Sequence, residues 1–229
     1  MRIIIIGDIH GCYNEFTVLL DKVNLDVAAD KVILLGDAMD RGADSYQVLK
    51  KILELKLKMK DCFVYLMGNH EDLAVDAIDS GDHSLWNSNG GGKTRKSFYK
   101  AGSRIQKYVD YLRNLPLYHE TDECICVHAG ISSAGPDKTE RDIFLWDRSI
   151  AYGKPYHGKL LIYGHTPMKA VTYQNEWGSA AAIPQEVKME LPETGSICLD
   201  TGCVFEGMLT AMVIEDGWYQ IESVPKEIT

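Results

Sequence analysis

One pattern recurs along this chain and limits what it can fold into: a short apolar run is followed at once by a turn of glycine and polar residues. The clearest case is the run at residues 31–35, which continues into Gly-Asp-Ala-Met-Asp-Arg-Gly at residues 36–42. Such a run predicts a strand that is buried on both faces. Ligands in an open α/β sheet bind just beyond the carboxyl ends of the strands. Asp37, Asp40 and Arg41 are therefore candidate site residues.

The same pattern occurs twice more in the first third of the chain. Apolar runs at residues 2–6 and 62–67 are followed by Gly-Asp-Ile-His-Gly and by Gly-Asn-His-Glu, respectively. Between the runs, apolar residues at helical spacing predict helices over residues 14–25 and 44–58. Right-handed β-α-β crossovers bring the ends of parallel strands together. We therefore expect an α/β fold that gathers these polar residues at one edge of a sheet.

The second half of the chain repeats the pattern with histidines. An apolar run at residues 124–127 ends at His128, and a run at residues 159–163 is followed by Gly-His-Thr-Pro, which contains His165. A single histidine after a strand is usually structural. Two of them, each within two residues of a glycine at a strand end, favour metal ligands.

The end of the chain predicts strands at residues 196–200, 208–214 and 218–222, with a hairpin turn at Asp-Gly between the last two. Residues 172–195 have no clear period and predict a surface excursion. The chain has no internal repeat, low-complexity tract or linker, so we expect one domain over residues 1–229.

Residues 79–119 interrupt the alternation of strands and helices. The segment 87–94 resembles a phosphate-binding P-loop, but Asn87 stands where the first glycine is required and no strand precedes it. We therefore predict a flexible glycine turn at the rim of the site, followed by a helix over residues 97–114.

Composition and charge exclude several classes of protein. The net charge of −9 argues against a broad nucleic-acid surface, which depends on Lys and Arg. The apolar start is too short for a secretory signal, and no run approaches the length of a membrane helix. Six cysteines form no Cys-x-x-Cys pair and predict buried, reduced thiols. We expect a cytoplasmic protein.

The polar residues at the strand ends form a set of oxygen and nitrogen donors without a thiolate. They are Asp8, His10, Asp37, Asn69, His128 and His165. This donor set favours manganese, iron or zinc over a structural cysteine–zinc site. Six ligands suit two metals that share one carboxylate, and such a pair can clamp a phosphoryl group and activate water.

Four further residues are candidates for the chemistry itself. Arg41 and Arg148 can each bind phosphate oxygens through a bidentate guanidinium. His70 can protonate the leaving oxygen, and Asp40 can orient His70 and keep it cationic. We therefore predict hydrolysis of phosphomonoesters.

Five motifs in this order resemble the calcineurin-like metallophosphoesterases of the PPP serine/threonine phosphatase type, in particular their small bacterial and bacteriophage lambda branch. They are Gly-Asp-Ile-His-Gly (7–11), Gly-Asp-Ala-Met-Asp-Arg-Gly (36–42), Gly-Asn-His-Glu (68–71), His-Ala-Gly (128–130) and Gly-His-Thr-Pro (164–167). The resemblance covers residues 2–210. It implies two packed mixed β-sheets flanked by helices.

The resemblance also implies individual roles. Asp8, His10 and Asp37 would hold the first metal; the ligands of the second would be Asp37, Asn69, His128 and His165. Manganese is expected ahead of iron or zinc. It further implies His70 with Asp40 as the acid pair, and Arg41, Arg148 and Asn69 as substrate-binding residues.

The substrate class has two principal alternatives. The acids at positions 40 and 71, Asp40 and Glu71, are typical of the protein phosphatases. The symmetric dinucleoside tetraphosphatases commonly lack an acid at the position of Asp40 and have Asp at the position of Glu71. A phosphoprotein substrate is therefore the leading hypothesis, with Ser or Thr ahead of Tyr as the phosphorylated residue. The alternative is hydrolysis of a nucleotide or dinucleoside polyphosphate. A metal-binding module without activity is disfavoured, because every candidate ligand and acid is present.

Overall fold

The computed structural model describes residues 1–227 and contains two β-sheets and a set of α-helices. The strands are β1 (Ile3–Ile6), β2 (Lys31–Leu34), β3 (Phe63–Tyr65), β4 (Tyr118–Glu120), β5 (Ile125–Val127), β6 (Leu161–Tyr163), β7 (Thr172–Gln174), β8 (Ala180–Ala182), β9 (Met189–Glu190), β10 (Ser196–Cys198), β11 (Met208–Glu215) and β12 (Trp218–Pro225). The α-helices are α1 (Tyr13–Lys22), α2 (Ser45–Met59), α3 (Asn69–Ser80), α4 (Ser84–Ser88), α5 (Gly91–Lys100), α6 (Val109–Arg113) and α7 (Arg141–Trp146).

Both sheets are mixed, as the resemblance implies. The first has the strand order β3-β2-β1-β11-β12-β9, and the second has the order β4-β5-β6-β10-β7-β8. Strands β1, β2 and β3 are parallel to one another, and so are β5, β6 and β10. The remaining pairings are antiparallel.

Alternation along β1 shows how the layers pack. Ile4 and Ile6 pack with the apolar faces of α1 and α2, whereas Ile3 and Ile5 pack with residues of the second sheet. All four are 3% exposed or less, and each buried side chain of this kind contributes about 1.5–3 kcal/mol. The two sheets therefore pack face to face, with helices covering the outside of the first sheet. On the outer face of the second sheet, α7 packs through Phe144.

The predicted helical segment over residues 97–114 is interrupted at residues 101–104. Helix α5 ends at Lys100, and Gly102 adopts a left-handed conformation with φ of +66°. The Gly102 and Ser103 amides donate to carbonyls of the last turn of α5, a hydrogen-bond pattern that terminates a helix. A 3₁₀ helix (Ile105–Tyr108) and α6 follow.

Two loop predictions are incomplete. The segment 172–195 lies mostly at the surface, as predicted, but it also contains β7 and β8, which pair in the second sheet, and β9, which pairs in the first. These strands have two or three residues each, and all three residues of β8 are exposed, so no alternation marks them. The glycine-rich segment is not a flexible turn over its length, because α5 begins at Gly91.

The six cysteines have free thiols, and five of them are buried, as expected. Among residues 1–227, no helix is long and apolar enough to cross a membrane. The single domain over residues 1–229 stays a prediction, and its last two residues lie outside the described part of the chain.

Candidate active site

Three turns bring histidines to the carboxylate of Asp37, which follows β2 and is 2% exposed. Its Oδ2 atom lies 3.5 Å from His10 Nε2, 3.5 Å from His128 Nε2 and 3.9 Å from His70 Nε2. These histidines follow β1, β5 and β3, respectively. The expected convergence of strand ends on Asp37 is therefore present.

Backbone carbonyls fix the orientation of two of these rings. His10 Nδ1 donates to the Met39 carbonyl and His128 Nδ1 to the Leu35 carbonyl, each at 2.8 Å. A carbonyl oxygen only accepts, so each Nδ1 carries the proton and each Nε2 presents a lone pair. Both Nε2 atoms therefore point toward Asp37 as acceptors, the arrangement that metal-ligating histidines adopt.

Asn69 and His165 extend this cluster on the side of His128. Asn69 Oδ1 lies 3.0 Å from His128 Nε2 and 3.0 Å from His165 Nδ1, and the two imidazole nitrogens are 3.1 Å apart. The Asp8 carboxylate accepts the His165 amide through both oxygens at 3.1 Å. Asp8 thus ties the turn after β1 to the turn after β6.

Burial sets the charge states of these groups. It lowers the pKa of His10 to about 3 and that of His165 to about 2, and it also lowers the pKa of His128. All three rings are neutral at pH 7, which is the form that binds metal. Burial raises the pKa of Asp37, but the surrounding histidines outweigh it and hold the carboxyl below its ordinary pKa.

The donor set fits two divalent metal ions. His10, Asp37 and His70 form one group and Asp37, His128 and His165 form a second; within each group, one ligand atom from each residue lies within 4.8 Å of the others. His128 Nε2, which carries no proton, lies 3.0 Å from Asn69 Oδ1 and 3.5 Å from Asp37 Oδ2, two atoms that also only accept. The Nε2 atoms of His70 and His165 are buried and have no hydrogen-bond partner within residues 1–227. Asp8 belongs to neither group.

His70 and Asp40 form a buried pair beside this cluster. His70 Nδ1 donates to Asp40 Oδ2 at 2.8 Å, and both side chains are fully buried. Asp40 also accepts Trp86 Nε1 at 2.8 Å and Thr94 Oγ1 at 2.6 Å. Burial lowers the pKa of His70, but Asp37 and Asp40 outweigh it and hold the pKa above its ordinary value.

The two candidate phosphate-binding arginines are half-buried at the edge of the cluster. Arg41 Nη1 donates to His10 Nε2 at 2.6 Å, and its guanidinium lies 5.4 Å from the centre of the Phe205 ring. Arg148 Nη1 donates to the His165 carbonyl at 3.0 Å and to Thr166 Oγ1 at 2.9 Å. Each arginine therefore contacts one side of the cluster.

Sequence reasoning missed three residues of this site and the structural role of a fourth, Glu71. Trp86 and Thr94 hold Asp40, and Asp200 is a buried carboxyl after β10 whose charge helps to raise the pKa of Asp8. Glu71 accepts the amides of Gly68, Asp37 and Ala38 and so joins two of the turns. Asp200 follows an apolar run and was therefore detectable, whereas no local pattern marks Trp86 or Thr94.

Comparison with known proteins identifies a family. Residues 1–191 match the family model described as calcineurin-like phosphoesterase. A symmetrical bis(5'-nucleosyl)-tetraphosphatase from Nitrosospira multiformis is 28% identical, over 94% of this chain and 94% of its own length. The asymmetrical bis(5'-nucleosyl)-tetraphosphatase PrpE from Anoxybacillus flavithermus is 28% identical, over 91% of this chain and 88% of its own.

Serine/threonine-protein phosphatase 2 from Salmonella typhimurium is 27% identical, over 85% of this chain and 87% of its own length. Among solved structures, a metallophosphoesterase from Sphaerobacter thermophilus superposes with a TM-score of 0.67 at 16% identity, covering 99% of this chain and 90% of its own. The match to the family model spans most of the sequence, and so the chain belongs to the calcineurin-like phosphoesterase family.

Proposed function

We propose that this metallophosphoesterase hydrolyses dinucleoside polyphosphates with two divalent metal ions. Metal-dependent hydrolysis is supported by one observation, the two groups of candidate metal ligands that share Asp37. The substrate class is supported by the relatives, because tetraphosphatases of both the symmetrical and the asymmetrical kind align over at least nine-tenths of this chain. The proposal therefore ranks dinucleoside polyphosphates ahead of phosphoproteins, whereas the motifs favour phosphoproteins.

In the proposal, the ligand sets are those that the resemblance implies. His10, Asp37 and Asp8 would hold one ion; Asp37, Asn69, His128 and His165 would hold the other. When bound, two such ions lower the pKa of water and stabilise negative charge on a phosphoryl group. Manganese, ahead of iron or zinc, stays our prediction for the metal.

The remaining polar residues have separate roles in the proposal. Arg41 and Arg148 bind phosphoryl oxygens at the two sides of the cluster, and Asn69 contacts the substrate as well. His70 carries a proton on Nδ1 that Asp40 holds, and its buried Nε2 has no partner within residues 1–227. In the proposal, that nitrogen donates a proton to the leaving oxygen.

A direct comparison of substrates tests the proposal. The manganese-loaded protein should show a higher kcat/KM on diadenosine tetraphosphate than on a phosphoserine peptide. The products distinguish the two kinds of cleavage, because symmetrical hydrolysis yields two molecules of ADP and asymmetrical hydrolysis yields ATP and AMP. A higher kcat/KM on the phosphopeptide would refute the proposed substrate class and leave the metal site standing.

One observation favours phosphoprotein hydrolysis as a second candidate. The fully buried Asp40–His70 pair supplies an acid for the poor leaving group of a serine or threonine ester, and the Salmonella relative is named as a protein phosphatase. Membership of the lambda-type branch, which rests on the order and spacing of the five motifs, stays a prediction. Under either candidate we keep the prediction of a cytoplasmic protein without a nucleic-acid partner.

A further inference from the structure

A small groove lies beside the proposed active site, between the turn after β6 and the turn after β10. We call it the Phe205 groove, and its volume is about 320 Å³. Its walls include Pro167, Met168, Lys169, Gly202 and Phe205. The Met168 amide donates to the Asp200 carbonyl at 2.9 Å, so the two turns are joined at the base of the groove.

Two contacts connect the groove with the arginines that we assign to phosphate binding, which do not themselves line it. The Phe205 ring contacts the guanidinium of Arg41, which in turn contacts His10. On the other wall, Pro167 directly follows Thr166, the side chain that accepts a hydrogen bond from Arg148. The groove therefore lies next to any ligand whose phosphate contacts both arginines.

The groove combines an aromatic ring, apolar walls, one lysine and one carboxylate, that of Glu206. The Phe205 side chain is 58% exposed although it is large and apolar. Arg41 lies over the ring, and Pro167 and Met168 supply the apolar wall. Lys169 adds an exposed positive charge. An exposed ring next to cations is the usual platform for a nucleobase that is attached to phosphate.

We propose that the Phe205 groove binds one nucleoside of a dinucleoside polyphosphate, with the base stacked on Phe205. This inference rests on the proposed function and identifies part of its substrate site. A volume of about 320 Å³ is at the small end of ligand pockets, so the groove accommodates one nucleoside and leaves the polyphosphate chain to the arginines.

The test separates base stacking from support of Arg41. Phe205→Leu removes the ring, Phe205→Trp keeps an aromatic face, and Tyr99→Leu removes a ring that is 82% exposed on α5. Inhibition by AMP is compared with inhibition by inorganic phosphate, because only AMP carries a nucleoside. Steady-state constants for diadenosine tetraphosphate and for a phosphoserine peptide are measured in parallel.

For Phe205→Leu we expect KM for the dinucleotide and the inhibition constant of AMP to rise about tenfold, within the range of aromatic–base stacking. The constant for phosphate should change less than twofold. Phe205→Trp should restore binding of AMP, and Tyr99→Leu should match the unmodified protein. Equal weakening of AMP and phosphate would overturn the proposal, since Phe205 would then act only by positioning Arg41, and an unchanged AMP constant would also overturn it.

These outcomes are distinct from a failure of the proposed function. If the unmodified protein prefers the phosphopeptide, the substrate class is wrong, yet the ratio of the AMP and phosphate constants still decides whether the groove binds a nucleoside. Folding does not confuse the result, because Phe205 is largely exposed and outside the core clusters.

Discussion

Replacing Asp40 by Asn tests the proposed acid pair with the smallest change of shape. In Asp40→Asn the remaining oxygen can still accept Trp86 Nε1 and His70 Nδ1, which both donate to the same oxygen in the native pair. The new amide group faces Thr94 Oγ1, whose hydroxyl can turn toward Ser45 Oγ, 3.0 Å away. The fold and the ring orientation are therefore kept, and the negative charge is lost.

The magnitude follows from the loss of one charge-assisted hydrogen bond. A hydrogen bond to a charged group contributes about 1.5–3 kcal/mol, which corresponds to about one to two pKa units. Since Asp40 helps to hold the pKa of His70 above its ordinary value, the substitution lowers that pKa. The rate on an ester with a poor leaving group should fall about 10- to 100-fold at neutral pH.

The assay compares leaving groups and pH profiles. The loss should be large for a phosphoserine peptide and less than about threefold for p-nitrophenyl phosphate, whose leaving group needs little protonation. The high-pH limb of the phosphoserine profile should move to lower pH, because the acidic form of His70 is lost earlier. Trp86→Phe is the matched control: it removes a donor from Asp40 but keeps the charge, so this limb should not move to lower pH.

Equal losses on both esters would refute the assignment of His70 as the acid, because a general acid matters most for poor leaving groups. An unchanged rate on the phosphoserine peptide, with the thermal midpoint also unchanged, would refute the role of the Asp40 charge. His70→Asn should reproduce the selective loss of Asp40→Asn and exceed it.

Three further predictions concern metal binding and stability. Asp37→Asn should weaken both metal ions together, since both ligand groups share this carboxylate; full metal content at both positions by elemental analysis would refute the shared role. Asp30→Asn should lower the free energy of unfolding by about 1–3 kcal/mol at pH 7, because Asp30 accepts both Arg2 Nε and Arg2 Nη2. Burial raises the pKa of Asp30, but Arg2 holds it below the ordinary 3.8, so the folded carboxyl binds protons more weakly than the unfolded one; urea melts at several pH values should show the difference shrinking as the pH falls below about 4. Lys60→Gly should raise the free energy of unfolding by about 1 kcal/mol, because Lys60 has φ of +54° at the end of α2, whereas Lys58→Gly inside that helix should lower it by a similar amount.

The fold and the site were predictable where one local pattern carried the information. The apolar run of β1 and the polar turn after it are adjacent in sequence, and parallel pairing of β1 with β2 brings Asp8 and Asp37 into neighbouring turns. The two mixed sheets followed from the resemblance and not from periodicity. Elements such as β8 were not predictable, because three exposed alanines carry neither alternation nor β-branched side chains.

Long-range contacts account for most of what was missed in the site. Trp86 and Thr94 reach Asp40 across 46 and 54 residues of sequence. Neither residue belongs to a strand-end turn. The glycine-rich segment beside them resembles a phosphate-binding loop, but Asn87 excludes that interpretation. Their role depends on how α4 and α5 pack against the turn after β2, which no local pattern describes.

The backbone conformation of the candidate site explains why its residue types were predictable and its long-range contacts were not. Five site residues adopt positive φ, a conformation that favours glycine: His10, Asp37, Asp40, Arg41 and His165. Each such residue costs about 1 kcal/mol or more, so local propensity opposes the conformation in which its side chain is used. Tertiary hydrogen bonds offset the cost: the Asp37 amide donates to Glu71, the Asp40 amide to Thr94 and the His165 amide to Asp8. The kinds of residue in the site can thus be predicted from the strand-end turns, but the backbone conformation that aims them depends on side chains from elsewhere in the fold.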